Sequence, residues 1–150
     1  MLHNFTHLLT HVIFSTKGRR PLLAAELKSR LFPYIGGIVR EIGGCLVSIN
    51  GTADHVHLLI RLPGTVCLAD AIRTVKTNSA RWVHETWAKR HGFAWQAGYG
   101  AFSVSLSNVE EVRRYIADQV EQHRRADFRE EFVAFLRRHG IAYDERDIWD

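Results

Sequence analysis

The sequence predicts an α+β fold: a split βαβ, ferredoxin-like and RRM-like antiparallel sheet with additional C-terminal helices. Apolar runs of strand length alternate with two long segments of helical periodicity. Residues 45–50 and 55–62 flank Asn50-Gly51, the strongest turn signal in the chain, which indicates adjacent antiparallel strands. The resulting order of strand, helix, strand, strand, helix, strand is that of the ferredoxin-like fold, and further amphipathic segments follow it.

The elements are predicted from apolar spacing. Strands are expected at residues 7–15, 45–50, 55–62 and 98–105, and helices at 22–42, 68–90, from 107 onward, and at 127–139. Pro33 and Gly36-Gly37 weaken or bend the first helix, which leaves open two shorter pieces. The third helix is expected to begin at a capping box, Ser107-Asn108-Val109-Glu110. Its buried stripe is expected to consist of Val109, Val112, Ile116 and Val120.

Composition and charge favour one globular domain, residues 1–150, with a polyanionic partner. The chain has 150 residues, of which 46% are hydrophobic and 24% charged, and no linker or repeat interrupts it. We find neither an apolar run of about 18 residues nor a signal peptide, so we expect no membrane span and a cytoplasmic location. The net charge is +4, with basic clusters such as Lys17-Gly18-Arg19-Arg20. Arginine suits phosphate, although a solvated charged surface is the alternative for any one cluster.

The segment from Asp54 to Ile60 holds two histidines at strand spacing. Residues i and i+2 of a strand point to one face, so His55 and His57 present two imidazoles together. If Val56 and Leu58 face the core, the imidazoles lie on the opposite, open face of the sheet. The alternative is two tolerated histidines among the nine in the chain.

A tyrosine and a glutamine are expected to share a helix face later in the chain. Tyr115 and Gln119 are four residues apart and flank the predicted buried stripe. Two imidazoles and an amide oxygen can hold a divalent ion, for which we expect Mg²⁺ or Mn²⁺. The Tyr115 phenol beside such an ion would be a nucleophile for phosphate. The alternative role for Tyr115 is packing at the edge of the core.

Several separated motifs, in order, resemble those of the single-tyrosine HUH transposases of insertion sequences and their REP-associated relatives. They are His11-Val12-Ile13-Phe14-Ser15-Thr16-Lys17, Asp54-His55-Val56-His57-Leu58-Leu59, Gly98-Tyr99-Gly100-Ala101-Phe102-Ser103-Val104-Ser105 and Tyr115-Ile116-Ala117-Asp118-Gln119. The resemblance implies that His55, His57 and Gln119 bind the metal and that Tyr115 is the catalytic nucleophile. It also implies a homodimer that cleaves and rejoins hairpin-bearing single-stranded DNA through a 5′-phosphotyrosine intermediate. Whether Tyr115 meets the histidine pair of its own subunit or that of the partner is left open, so the active sites of the dimer can be shared between subunits.

Phosphate contacts are expected from basic residues outside that set: Lys17, Arg19, Arg20, Lys76 and Arg81. His123 is expected at the surface or at a helix end. Two other functions stay open. One is a domesticated module that binds structured single strands without cleaving them, and the other is a metal-dependent hydrolase that forms no covalent adduct.

Overall fold

The computed structural model describes residues 3–148, and a four-stranded antiparallel sheet lies at its centre. The strands are Leu9–Ser15 (β1), Cys45–Gly51 (β2), His55–Arg61 (β3) and Gly100–Val104 (β4). Their spatial order is β2-β3-β1-β4, and each neighbouring pair is antiparallel. Because β3 lies between β1 and β2, this is the split βαβ arrangement. The predicted α+β fold class is confirmed.

Six α-helices are found in the described part of the chain: Ala25–Glu41 (α1), Leu68–Thr86 (α2), Val109–Ala117 (α3), Gln119–Arg125 (α4), Phe128–Arg138 (α5) and the short Glu145–Ile148 (α6). The first helix is continuous, so the alternative of two shorter pieces is excluded; Pro33 lies in the helix and faces solvent. The second helix ends at Thr86, four residues before the predicted end. Within residues 3–148, no helix combines the length and apolar character needed to cross a bilayer.

The two faces of the sheet are covered by different helices. On one face Val12, Phe14, Val56 and Leu58 are fully buried in the core that includes α1 and α2. The histidines lie on the other face, as predicted from the alternation of β3. That face is not open, however, because the apolar stripes of α3 and α5 pack on it. Both imidazoles are therefore 0% exposed, where an open face had been expected.

Asn50-Gly51 does not form the hairpin turn. Asn50 pairs with His57 and Gly51 with Val56, so both residues continue β2 and the turn comprises residues 52–54. A side-chain carbon at position 51 would overlap the carbonyl oxygen of His55. Close approach of two backbones, rather than a turn conformation, thus requires this glycine.

A break in the third predicted helix changes which residues are buried. The helix ends at Ala117, and Asp118, with φ −100° and ψ 28°, separates it from α4. The break turns Gln119 into the protein, where it is 0% exposed, and leaves Val120 64% exposed. The predicted buried stripe is therefore correct at Ile116 and wrong at Val120. The expected capping box is absent as well, since the Ser107 hydroxyl bonds that of Ser105 at 2.9 Å.

Two alanine substitutions test this assignment of buried positions. We expect Leu58→Ala to lower the free energy of unfolding by about 2–5 kcal/mol, because it removes a fully buried side chain and leaves a cavity. Val120→Ala should change it by less than about 0.5 kcal/mol, since that side chain is exposed. Denaturant unfolding of both variants measures the difference. If Val120→Ala lowered the free energy of unfolding as much as Leu58→Ala, the break in the helix would be contradicted.

Candidate active site

The Glu131 carboxylate, on α5, contacts four side chains between the sheet and the helices that cover its histidine face. Its Oε1 lies 2.8 Å from Nε2 of His57 and 3.5 Å from Nε2 of His55. The same oxygen is 3.4 Å from Nε2 of His123, on α4. Its Oε2 accepts a hydrogen bond from the Tyr115 hydroxyl. These contacts replace the hydration that a buried carboxylate loses, and they connect β3, α3, α4 and α5.

Both strand histidines direct Nε2 toward this cluster, because their Nδ1 atoms are already bound. Nδ1 of His55 lies 2.7 Å from the Asp54 carboxylate and 2.9 Å from the Thr52 hydroxyl. Nδ1 of His57 lies 2.8 Å from Nε2 of His11, on β1. Partners of this kind fix the tautomer and ring orientation of metal-binding histidines. The Asp-His-Val-His motif thus carries an imidazole together with the carboxylate that orients it.

Gln119 and Tyr115 complete the set of four residues predicted from the sequence. Gln119 Oε1 lies 3.3 Å from Nε2 of His55, and its amide nitrogen donates to the Tyr115 carbonyl at 3.1 Å. The half-buried Tyr115 ring is 5.7 Å from the His57 ring, centroid to centroid. The structure therefore brings His55, His57, Tyr115 and Gln119 together within one chain.

The charges in the cluster are set by its burial and its hydrogen bonds. Burial opposes ionisation of Glu131, but the three imidazoles beside its carboxylate outweigh it and hold the pKa of this carboxyl far below its usual range. Burial, and then the contact with Glu131, raises the pKa of Tyr115 well above its ordinary value. Burial and the neighbouring His57 lower the pKa of His11 to about 3. The cluster therefore combines an ionised carboxylate, a neutral phenol and a neutral orienting imidazole.

The donor atoms of the cluster fit a divalent metal ion. One donor atom each from His55, His57, His123 and Glu131 lies within 4.8 Å of the others. The buried Nε2 of His123 has no hydrogen-bond partner among the described residues. Such a nitrogen needs a partner, and a metal ion would provide one. Imidazole nitrogens with a carboxylate and an amide oxygen are ligands of divalent transition metals.

Comparison with known proteins identifies the family of the chain. Residues 4–119 match the family model described as "Transposase IS200 like". The chain belongs to this family. A relative, the ISDra2 transposase TnpA of Deinococcus radiodurans, is 25% identical to this IS200-like transposase over 114 residues, which are 73% of the present chain and 81% of the relative.

Two solved structures share the fold of this IS200-like transposase. A protein from Deinococcus radiodurans R1 assigned as a transposase superimposes with a TM-score of 0.65 and 26% identity, over 79% of the present chain and 95% of that chain. A REP-associated tyrosine transposase bound to a REP hairpin gives a TM-score of 0.62 at 15% identity, over 82% and 74% of the two chains. At this identity, the second similarity concerns the fold alone.

Two residues of the transposase cluster were not predicted from the sequence. Glu131 was not considered. His123 lies in the last turn of α4, as expected, but the expected use at the surface is wrong, because its Nε2 is buried in the cluster. A signal for Glu131 does exist in the sequence. It lies within the apolar stripe of α5 formed by Phe128, Phe132 and Phe135, where a charged residue needs a buried partner.

The first group of predicted DNA contacts lies near the histidine end of β3. Lys17, Arg19 and Arg20 are exposed in and after a short 3₁₀ turn that follows β1. The adjacent Thr16 donates its backbone N–H to the carbonyl oxygen of Asp54 at 2.8 Å, which places the turn beside the His55 motif. Their contact with DNA stays a prediction.

The second group lies on α2, the helix that packs against the opposite face of the sheet. Nζ of Lys76 lies 3.0, 3.4 and 2.5 Å from the carbonyl oxygens of three consecutive residues, 96–98. Burial lowers the pKa of Lys76 to about 8. Arg81 is exposed on the same helix. The structure does not bring these two residues to the Glu131 cluster, and their role with DNA also stays a prediction.

Metal binding by the cluster can be measured without DNA. We expect calorimetric titration with MnCl₂ to show binding that is weakened at least about tenfold in His123→Ala, since the substitution removes one donor. His91→Ala is the matched control, because His91 is exposed and outside the cluster. Equal Mn²⁺ affinity of wild type and His123→Ala would show that His123 is not a metal ligand.

Proposed function

We propose that this transposase cleaves and rejoins single-stranded DNA at hairpin-bearing ends through a 5′-phosphotyrosine on Tyr115, with the help of a divalent metal ion. The observation that carries the proposal is the contact of the Tyr115 hydroxyl with the same carboxylate that three imidazoles surround. A nucleophile and a set of metal donors within one small cluster are the parts that phosphoryl transfer requires.

The metal-binding residues in this proposal are His55, His57 and Gln119, joined by His123 and Glu131. A divalent ion held there would withdraw charge from the oxygens of the scissile phosphate. The sequence leaves Mg²⁺ and Mn²⁺ open, and the three imidazoles favour Mn²⁺, because Mg²⁺ prefers an all-oxygen shell. Asp54 and His11 keep the Nε2 atoms of the strand histidines directed at the cluster.

Tyr115 supplies the nucleophile. Its oxygen forms a bond to phosphorus while the bond from phosphorus to the 3′-oxygen of the preceding nucleotide breaks. The phenol loses its proton in this step, and the departing 3′-oxygen gains one. Glu131 accepts the hydrogen bond of the hydroxyl and so fixes the direction of the phenolic oxygen. The phosphotyrosine retains the energy of the broken bond, so another 3′-hydroxyl can reverse the step and join a new end.

The partners in the proposal follow from the family. The REP-associated structure holds a hairpin, which supports a hairpin-bearing single strand as the substrate here. The proposal includes a homodimer because the resemblance to the family implies one. Within the single chain, Tyr115 already lies beside the histidine pair. The DNA substrate implies action in the cytoplasm, as expected from the sequence.

A second candidate function is a domesticated module that binds structured single strands without cleavage. One observation favours it: Glu131 holds the Tyr115 phenol as a neutral hydrogen-bond donor, and burial with this contact raises the pKa of the phenol. A neutral phenol is a weaker nucleophile than a phenolate. This module would bind hairpins in a salt-sensitive manner and leave them intact.

Covalent capture of DNA tests the proposal. Incubation with Mn²⁺ and a 3′-labelled oligonucleotide carrying the inverted repeat that flanks the gene should give a protein–DNA adduct on a denaturing gel. Tyr115→Phe should lower the rate of adduct formation by at least about 1,000-fold, because the attacking oxygen is absent. Its hairpin affinity should stay within about twofold of wild type, since the ring is kept.

Tyr34→Phe is the control, because Tyr34 lies on α1, on the opposite side of the sheet from Glu131, and stacks on Trp82. Adduct formation by Tyr115→Phe at the wild-type rate would reject Tyr115 as the nucleophile. Hairpin binding without any adduct would instead support the non-cleaving module. Release of a free 5′-phosphate with no adduct would indicate a hydrolase.

A further inference from the structure

A surface cavity of about 220 Å³ gives access to the Tyr115–Glu131 pair. Both residues lie in its wall, and the rest of the lining comes from α4, α5 and the segment between them. Glu131 is otherwise covered by the helices of the histidine face, whereas Tyr115 also borders a second cavity. We call this space the Tyr115 cavity.

Two arginines line the Tyr115 cavity at the ends of their helices. Arg125 is the last residue of α4 and Arg138 the last residue of α5, and both are exposed. Between residues 3 and 148, neither forms an ion pair with a carboxylate, whereas Arg124 pairs with Glu121 and Arg129 with Glu145. These two guanidinium groups can therefore accept an anion from outside the protein.

Arg138 is positioned by packing against the wall of the cavity. Its guanidinium carbon lies 5.5 Å from the centroid of the Phe135 ring, a cation–π contact. The Phe135 ring in turn lies 5.5 Å from the Tyr115 ring, at an interplanar angle of 77°. The charge of Arg138 opposes the burial and the Glu131 contact that raise the pKa of Tyr115. A second cavity, of about 280 Å³ on the β4 side of Tyr115, is also lined by Arg138.

The carboxylates in the described lining of the cavity do not pair with its two guanidinium groups. Oε1 of Glu131 is already in contact with imidazoles and its Oε2 with the Tyr115 hydroxyl, and the other acidic residue in the described lining is the exposed Glu130. Two unpaired guanidinium groups thus face one exposed carboxylate. The planar fork of arginine matches two oxygens of a phosphate, and a cation beside the attacked phosphorus stabilises the charge that develops there.

We propose that Arg125 and Arg138 bind the DNA phosphate that Tyr115 attacks and hold it in the Tyr115 cavity. This inference rests on the proposed strand-transfer function and adds two residues that contact its substrate. The five basic residues predicted from the sequence do not line this cavity. They would contact the DNA backbone elsewhere, while this pair would bind the scissile phosphate.

The test compares each arginine with its neighbour in the chain. Arg138→Gln and Arg125→Gln should each slow adduct formation at saturating oligonucleotide by about 10- to 100-fold, because the attacked phosphate loses a cation. Arg137→Gln and Arg124→Gln should stay within about threefold of wild type, although they remove the same charge at the same helix ends. Arg138→Lys should recover part of the loss. Mn²⁺ affinity should be equal in all variants.

A neutral substrate separates phosphate binding from a structural effect. Once wild type has mapped the cleavage position, one methylphosphonate is placed there. On this substrate, Arg138→Gln should form the adduct at most about threefold more slowly than wild type, because an uncharged group needs no cation. An equal deficit on both substrates, or wild-type rates for both variants, would overturn the inference. A wild-type protein that forms no adduct would instead reject the proposed function, and the arginine role with it.

Discussion

The buried carboxylate of Glu131 is the constraint on which the histidine face of this protein depends. It is 6% exposed, and its partners come from β3, α3 and α4. Loss of hydration makes an unpaired buried charge very costly, so α5 can pack on the sheet only in a position where the imidazoles and the phenol reach Glu131. One interaction thus fixes the position of a helix, the direction of the Tyr115 hydroxyl and the spacing of the candidate metal donors.

Much of the fold could be predicted from the sequence because its signals are local. Alternation in β3 assigns Val56 and Leu58 to one face and both histidines to the other, and the structure confirms this. Two local signals gave wrong predictions, because features outside the signal itself decide these positions. Asn50-Gly51 has the composition of a turn, yet close approach of the neighbouring strand requires the glycine within β2. Val120 continues an apolar stripe, yet the break at Asp118 turns it outward.

The candidate site was predictable where its residues are close in sequence. His55 and His57 share a face at strand spacing, and Tyr115 and Gln119 are one helical turn apart. Glu131 meets His57 across 74 residues, and no local spacing relates the two. Its contact depends on how α5 packs on the sheet, which is a tertiary property. The helix break also brings Gln119 to His55, although the sequence predicted this meeting from an unbroken helix.

The family match ends at Gln119, whereas His123, Glu131 and both cavity arginines follow it in the chain. The shared part of the protein therefore contains the histidine pair and the tyrosine, and the segment after it contributes the other charged and imidazole groups around them. Substitutions in the C-terminal helices can consequently alter the ion preference and the reactivity of this centre, while the histidine pair and the tyrosine are left unchanged.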